Sequence, residues 1–299
     1  MLNVSIVQTG SMPEDRQTAI EYLIGEFHAA AGPQTDVVLF SELCNTPYFG
    51  LTGDDRYKEW AEPLDGPTVT AFADAARELN TGVIFGMYEV DGSGSLYNSA
   101  VVIDADGNRV DGTSIFGVSV PCYRKSSIPM GNGSGYPVNE KQFFESGPGP
   151  VVFDAFGLRF ATLICYDRSF PEYWESARTM GADAVFVLVS SFGTRQGHFT
   201  EELQIRARES QCFAIVANRG GEETLAGRTV SSFGLSCVIE PNTTVVAQAP
   251  AHEQPYILRE EIDLAKVTEF RRVYQFQRDK NVKVFEQLAA LKAASHVLA

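Results

Sequence analysis

The chain has 299 residues, of which 44% are hydrophobic, enough for a sizeable core in one large α/β unit or in two domains. A formal charge of -14 argues against nucleic acid as a partner, because phosphate binding needs basic patches. No apolar run reaches membrane-spanning length and no leader-like segment precedes Leu2, so a cytoplasmic protein without a membrane partner is expected.

Strand and helix patterns alternate from the start. Val4 to Gln8 is an apolar run, and Glu14 to Ala31 follows as a helix with acidic residues at its start and Gly32-Pro33 past its end. Asp36 to Phe40 has strand length and ends at Ser41-Glu42; a second helix is expected over Pro67 to Leu79. Gly82 to Val90 and Leu96 to Ile103 read as strands, with a hairpin signal at Asp104-Ala105-Asp106-Gly107-Asn108. The stretch from Pro121 to Pro150 has little periodicity, and a loop of that length inside a compact domain is usually functional.

The second half repeats this order. A strand to Ile164 precedes a helix from Pro171 to Met180 and the strand Ala184 to Ser190. Thr200 to Ser210 is a helix, and Phe213 to Asn218, Val230 to Ile239, Thr243 to Gln248 and Tyr256 to Ile262 are strands. Two helical stretches close the chain. No Gly/Ser or charged linker separates the halves, so one domain over residues 1–280 with a helical extension at 281–299 is expected. Repeated βαβ units followed by hairpins suggest a four-layer α-β-β-α sandwich of mixed sheets.

Several chemistries lack their signatures. There is no phosphate loop and no Gly-x-Ser-x-Gly, and Gly131-Asn132-Gly133-Ser134-Gly135 has neither a strand before it nor a helix behind it. The four histidines have no metal-ligand spacing. Cys44, Cys122, Cys165, Cys212 and Cys237 are odd in number and form no Cys-x-x-Cys pair, as in a reducing compartment.

Cys165 stands apart, at the end of the apolar strand and just before Pro171 opens a helix whose N-terminus is expected to favour thiolate. That placement suggests a nucleophile, with Cys122 as its rival. With histidine scarce, a carboxylate is the better base. Glu42 ends another apolar strand, where desolvation strengthens it as a proton acceptor. Apolar residues on both sides of Arg124-Lys125 suggest that one of the two cations turns inward.

Phe40-Ser41-Glu42-Leu43, Tyr123-Arg124-Lys125 with Ile128-Pro129, and Leu163-Ile164-Cys165-Tyr166-Asp167-Arg168 with Phe170-Pro171-Glu172 have the order and spacing of one family. In these motifs the chain resembles the nitrilase, or carbon–nitrogen hydrolase, superfamily over nearly its whole length. The resemblance implies a Glu42–Lys125–Cys165 triad, the same four-layer sandwich, no metal or organic cofactor, and a homodimer or higher homo-oligomer. It implies attack by Cys165 on a carbonyl carbon, with Lys125 and the Tyr166 backbone N–H stabilising the oxyanion. Asn139-Glu140-Lys141-Gln142-Phe143-Phe144 is similar to the family segment that supplies a second glutamate, here Glu140.

Nitrilases proper usually carry Trp-Glu after the nucleophile; Tyr166-Asp167-Arg168 looks more like enzymes that cleave N-carbamoyl amino acids. There an arginine at the position of Arg168 helps bind the substrate carboxylate, which a bidentate guanidinium suits. Ser169 and Ser127 stand where such enzymes carry a second arginine and a histidine. Tyr123-Arg124-Lys125-Ser126 and Asn139-Glu140-Lys141 are also similar to N-carbamoylputrescine amidases, whose substrate is cationic. The expectation is an amidohydrolase of small linear amides or N-carbamoyl compounds, its side-chain preference open. A nitrilase or a catalytically silent binding subunit are the alternatives. Tyr48, Tyr166, Ser190 and Ser191 are substrate-binding candidates, the serines because they follow the strand beside the nucleophile strand.

Overall fold

Two strands made wholly of buried apolar residues, Val37–Leu39 and Ala184–Val189, sit inside two separate sheets. The computed structural model describes residues 1–296. In chain order, β1 (Leu2–Gln8), α1 (Arg16–Ala30), β2 (Val37–Leu39), α2 (Pro67–Leu79), β3 (Gly82–Val90) and β4 (Leu96–Ile103) make the first βαβαβ unit and its hairpin. Short strands follow: β5 (Gly112–Ser114), β6 (Ser119–Val120), β7 (Tyr123–Arg124), β8 (Met130–Gly131) and β9 (Val138–Asn139).

The second unit comprises β10 (Val151–Ala155), β11 (Leu158–Ile164), α3 (Pro171–Thr179), β12 (Ala184–Val189), α4 (Phe199–Ser210) and β13 (Phe213–Asn218). After it come β14 (Gly220–Leu225), β15 (Arg228–Phe233), β16 (Cys237–Ile239), β17 (Val245–Gln248) and β18 (Tyr256–Ile262). The helices α5 (Ala265–Val273), α6 (Phe276–Asp279) and α7 (Val282–His296) complete the described chain.

One sheet has the order β18-β1-β2-β3-β4-β7, the other β17-β16-β13-β12-β11-β10-β5-β6. Neighbours β1-β2-β3 and β11-β12-β13 run parallel and the outer pairs antiparallel. Alternation along β1 to β3 divides their side chains. Val7, Val38, Val83 and Phe85 pack with Leu23 and Phe27 of α1 and Phe72 of α2. Val4, Ile6, Leu39 and Ile84 pack in the cluster that holds the second sheet, Trp174 of α3 and Leu203 of α4. The result is the four-layer α-β-β-α sandwich, in which each fully buried aliphatic or phenyl side chain contributes roughly 1.5–3 kcal/mol.

Two expectations change. The run Val230 to Ile239 is not one strand, because Gly234 adopts φ +67° and turns the chain from β15 into β16 of a different sheet. The unperiodic stretch 121–150 carries β7, the small β8–β9 hairpin and a 3-10 turn at Glu140–Gln142. No helix among the described residues is long and apolar enough to cross a membrane.

Candidate active site

The candidate residues follow the ends of strands from both sheets: Glu42 after β2, Lys125 after β7, Cys165 after β11 and Ser190 after β12. Glu42 lies three residues past β2, on a backbone that Leu43 turns at φ +48°, in the left-handed region that a branched residue rarely occupies. Arg219 holds that turn by donating to the carbonyls of Leu43, Thr46 and Glu42, and it pairs with Glu223 at 3.2 Å. Glu223 in turn accepts from the backbone N–H of Tyr48 at 2.6 Å and of Met12 at 2.9 Å. The loop after β2 is thereby fixed by a buried ion pair between Arg219, which links β13 to β14, and Glu223 of β14.

Glu42 is fully buried and accepts three hydrogen bonds. Lys125 Nζ donates to Oε1 at 2.7 Å, Asn98 Nδ2 to the same oxygen at 2.8 Å, and the Ser190 N–H to Oε2 at 2.8 Å. Asn98 also accepts the Lys125 N–H on its carbonyl at 2.8 Å, so β4 aligns acid and ammonium together. Lys125 donates to Glu140 Oε2 at 2.6 Å as well, and Glu140 Oε1 accepts from Tyr48 Oη at 2.7 Å. Of the Arg124-Lys125 pair it is Lys125 that turns inward, while Arg124 pairs with Glu89 and lies over Tyr97.

Two glutamates thus share one ammonium inside the protein. Burial pulls the lysine proton affinity down, but Glu140 and Glu42 more than offset this and hold Lys125 protonated well above the ordinary lysine range. Burial pushes the Glu140 carboxyl up, against the pull of Lys125 and with the repulsion of Glu42. Burial likewise lifts the Tyr48 phenol well above its usual range, so it donates to Glu140 as a neutral group.

Cys165 follows β11, whose Ile164 pairs with Leu188 of β12, two residues before Ser190. It adopts φ +47° and opens a 3-10 turn, Cys165–Ser169, that precedes α3. Non-glycine residues held in this region cost on the order of 1–3 kcal/mol and cluster at functional sites. The expected thiolate is corrected here. Burial, then the Glu42 charge, push the thiol up to about 11, and Lys125, Arg168 and Arg195 only partly oppose them. The helix that begins at Pro171 is a separate element six residues on, so its dipole is not centred on the sulfur. A thiol so held requires a base to give up its proton.

The Tyr166 N–H lies in the first turn of the 3-10 segment, where no intrahelical acceptor exists. The Tyr166 ring is half-buried and packs edge-on against Phe170, 5.0 Å between centroids. Ser190 Oγ donates to the Glu42 carbonyl at 2.9 Å, whereas the buried Ser191 Oγ has no hydrogen-bond partner among the described residues. Arg168 is taken up internally: Nε meets Glu202 at 3.1 Å and Nη1 donates to the Cys165 carbonyl at 2.8 Å. Nη1 also reaches the Cys165 sulfur at 3.8 Å, so the guanidinium braces the turn that carries Cys165. Cys122 lies on the other face of the first sheet, 3.6 Å from Glu89, and burial drives its thiol up to about 12.

The structure therefore brings Glu42, Lys125, Glu140, Tyr48 and Ser190 into one hydrogen-bonded cluster, with Cys165, Tyr166, Arg168 and Ser191 around it. Asn98, Asp167 and the Arg219–Glu223 pair were not anticipated. Asp167 accepts from Tyr123 Oη, Ser127 N and Ile164 N at 2.7, 2.8 and 3.3 Å.

A buried cysteine, two buried glutamates and a buried lysine thus come together in an α/β sandwich of the carbon–nitrogen hydrolase class. Residues 3–272 match the family model described as carbon-nitrogen hydrolase, and the chain belongs to that family. It is a carbon–nitrogen hydrolase. It is 29% identical over 286 residues to an N-carbamoylputrescine amidase of Oryza sativa subsp. japonica, covering 91% of this chain and 88% of the relative. It is 27% identical over 282 residues to an (R)-stereoselective amidase of Pseudomonas sp, covering 94% and 92%. The crystal structure of a carbon-nitrogen hydrolase from Helicobacter pylori G27 has the same fold, with a TM-score of 0.84, 23% identity, and coverage of 96% of this chain and 97% of that one.

Proposed function

We propose that the protein hydrolyses small linear amides or N-carbamoyl compounds through a thioester on Cys165. The observation that carries this reading is the pair of buried carboxylates, Glu42 and Glu140, bridged by one ammonium at 2.7 and 2.6 Å beside a thiol kept protonated.

In the proposed sequence Glu42 takes the thiol proton as the sulfur–carbon bond forms. The negative charge that develops on the carbonyl oxygen meets the Lys125 ammonium and the Tyr166 N–H. Loss of one such donor typically costs roughly a hundred- to a thousandfold in rate. Glu42 passes its proton to the leaving nitrogen as the carbon–nitrogen bond breaks, then deprotonates the water that attacks the thioester and returns the proton to sulfur. Glu140 and Tyr48 orient the substrate or that water, and Ser190 and Ser191 line the acyl side, Ser191 with its unpartnered hydroxyl. Arg168 acts through the carbonyl of Cys165 as a positioning residue. Tyr166-Asp167 in place of Trp-Glu favours amides over nitriles.

The catalytic unit in this reading is residues 1–280, with the helix α7 (Val282–His296) as its extension; residues 297–299 of the expected extension lie outside the described residues. A homodimer or larger homo-oligomer is supported by the exposed apolar row Val282, Val284, Phe285, Leu288 and Leu291 of α7. Five free cysteines support a reducing cytoplasm.

The test is ammonia release from a panel of N-carbamoyl amino acids, N-carbamoyl amines, simple amides and nitriles, with intact-protein mass spectrometry of quenched reactions. An acyl adduct on Cys165 and turnover of amides or ureides is the expected result. Turnover of nitriles alone, or an adduct elsewhere, overturns it.

A further inference from the structure

We propose that Arg195 selects substrates carrying an anionic group, gripping that group at the mouth of the site while Cys165 attacks the carbonyl; this rests on the amidohydrolase reading.

The cations nearest the chemistry are already committed. Lys125 is held by two glutamates, Arg219 by Glu223 and backbone carbonyls, and Arg168 by Glu202 and the Cys165 carbonyl. Arg195 differs. It is half-buried in the 3-10 turn Gly193–His198, and no carboxylate among the described residues is paired with it. Its guanidinium carbon lies 5.9 Å from the centroid of Tyr166, the residue directly after the nucleophile. A cation over a ring face is held in place while its N–H edges stay free to donate.

The surroundings place it beside the site. Arg195 follows Ser190, whose N–H holds Glu42, by five residues. Opposite it, a side-chain carbon at Gly133 would stand 4.0 Å from Nη2, and the Thr194 N–H donates to the Ser134 carbonyl at 3.2 Å. The guanidinium therefore sits between the turn of the β8–β9 hairpin and the ring beside the sulfur. Its charge is felt at Cys165, where it works against the upward push of burial.

Charge accounting gives the substrate class. Glu202 and Glu223 each have an arginine, and Glu42 and Glu140 share Lys125. The surplus carboxylate charges, one in the Glu42–Glu140 pair and one on Asp167, are buried and held by their own donors, Asp167 by Tyr123 and the N–H of Ser127. Arg195 is the cation acting on Cys165 that no carboxylate among the described residues pairs. An amine-bearing substrate would face Arg195 with like charge, whereas a carboxylate can accept two parallel N–H bonds from it.

The experiment measures kcat/KM for N-carbamoylglycine, propionamide and N-carbamoylputrescine in the wild type, Arg195→Gln, Arg195→Lys and Arg195→Glu. The wild type is expected to prefer N-carbamoylglycine. R195Q should lower the ratio of N-carbamoylglycine to propionamide about ten- to a hundredfold, the range for losing a charge-assisted hydrogen bond, chiefly through KM. R195K should recover part of the ratio, and R195E should move preference toward N-carbamoylputrescine. An unchanged ratio in R195Q, or a wild type that prefers N-carbamoylputrescine, overturns the inference. If the wild type turns over none of the three, the hydrolase reading fails separately. Glutarate protection of Cys165 from iodoacetamide then decides: protection lost in R195Q supports Arg195, and protection retained there, or absent from the wild type, overturns it.

Discussion

Tyr123 donates its phenol to Asp167 at 2.7 Å, and this bond ties the strand that delivers Lys125 to the turn that delivers Cys165. Asp167 adds the N–H groups of Ser127 and Ile164, so one buried carboxylate joins the two sheets at the reacting end. Burial pushes the Tyr123 phenol well up, then the Asp167 charge adds to it, and it stays a donor.

That carboxylate sets a pH dependence. Burial raises Asp167 from 3.8 to about 6, against the pull of its donors. Between these values the folded protein holds a proton that the unfolded chain has lost, so this group's contribution is fully present below about pH 4 and is lost as pH rises through about 6. The corresponding free energy is on the order of 3 kcal/mol at most. Relative to Asp167→Asn, the wild type should therefore lose stability from pH 4 to pH 7, read as urea midpoints at each pH. Parallel curves for the two proteins would rule this out.

The shared ammonium makes a second prediction. Lys125→Met leaves two buried carboxylates facing each other without a cation, and breaking such a pair costs about 3–5 kcal/mol. Glu140→Gln should destabilise the wild type, which loses a charged partner of Lys125, yet stabilise the K125M protein, which loses a repulsion. A double-mutant cycle by urea denaturation reads that reversal of sign. Additive losses would mean that Lys125 does not couple the acids.

Much of this arrangement was legible along the chain, and the limits follow from distance. Cys165 and Glu42 end apolar runs, and apolar residues flank the Arg124-Lys125 pair, so local pattern marks candidates, and the family resemblance singles out Lys125 of the pair. Asn98 is 56 positions from the Glu42 oxygen it donates to, and Arg219 is 176 from the Leu43 carbonyl, so only register and sheet pairing bring them together. The strand Gly220–Leu225 escapes notice because Gly-Gly-Glu-Glu-Thr-Leu has no apolar alternation, although Glu223 is buried by its pairing with Arg219. Arg168 is the instructive case. Its residue type suits a substrate carboxylate, but Glu202, 34 residues on, brings an acid to it that local sequence does not suggest.

Cysteine reactivity is a third test. With its thiol at about 11, Cys165 carries roughly one thiolate in ten thousand at pH 7. Iodoacetamide labelling of the resting protein should be slow at neutral pH and accelerate toward pH 11, with peptide mapping to Cys165. Cys165→Ala should lower turnover at least about a thousandfold, as removal of a nucleophile does, while Cys122→Ala stays within severalfold. Retained turnover in C165A, with inactivation mapping to Cys122, would transfer the role to the rival thiol.

Gly86 provides the last test, because it is packed against the backbone that carries Glu42. A Cβ there would stand 2.7 Å from Glu42 Cα and from Leu43 N, and 2.8 Å from the Ser41 carbonyl. None of these atoms can rotate away, and the Cys44 N–H donates to the Gly86 carbonyl at 2.8 Å, so β3 and the Glu42 turn must shift together. Gly86→Ala should cost about 1–3 kcal/mol, the usual range for overpacking. It should also lower kcat under conditions where circular dichroism shows the variant fully folded. The contrast is Gly25→Ala, on the exposed face of α1 with nothing within 4 Å of the added carbon. Gaining helix propensity there should stabilise the protein by about 0.5–1 kcal/mol and leave kcat as it is. If G86A lost stability but kept its kcat, the position of Glu42 would not depend on this close approach, and the strain at Leu43 would have another support.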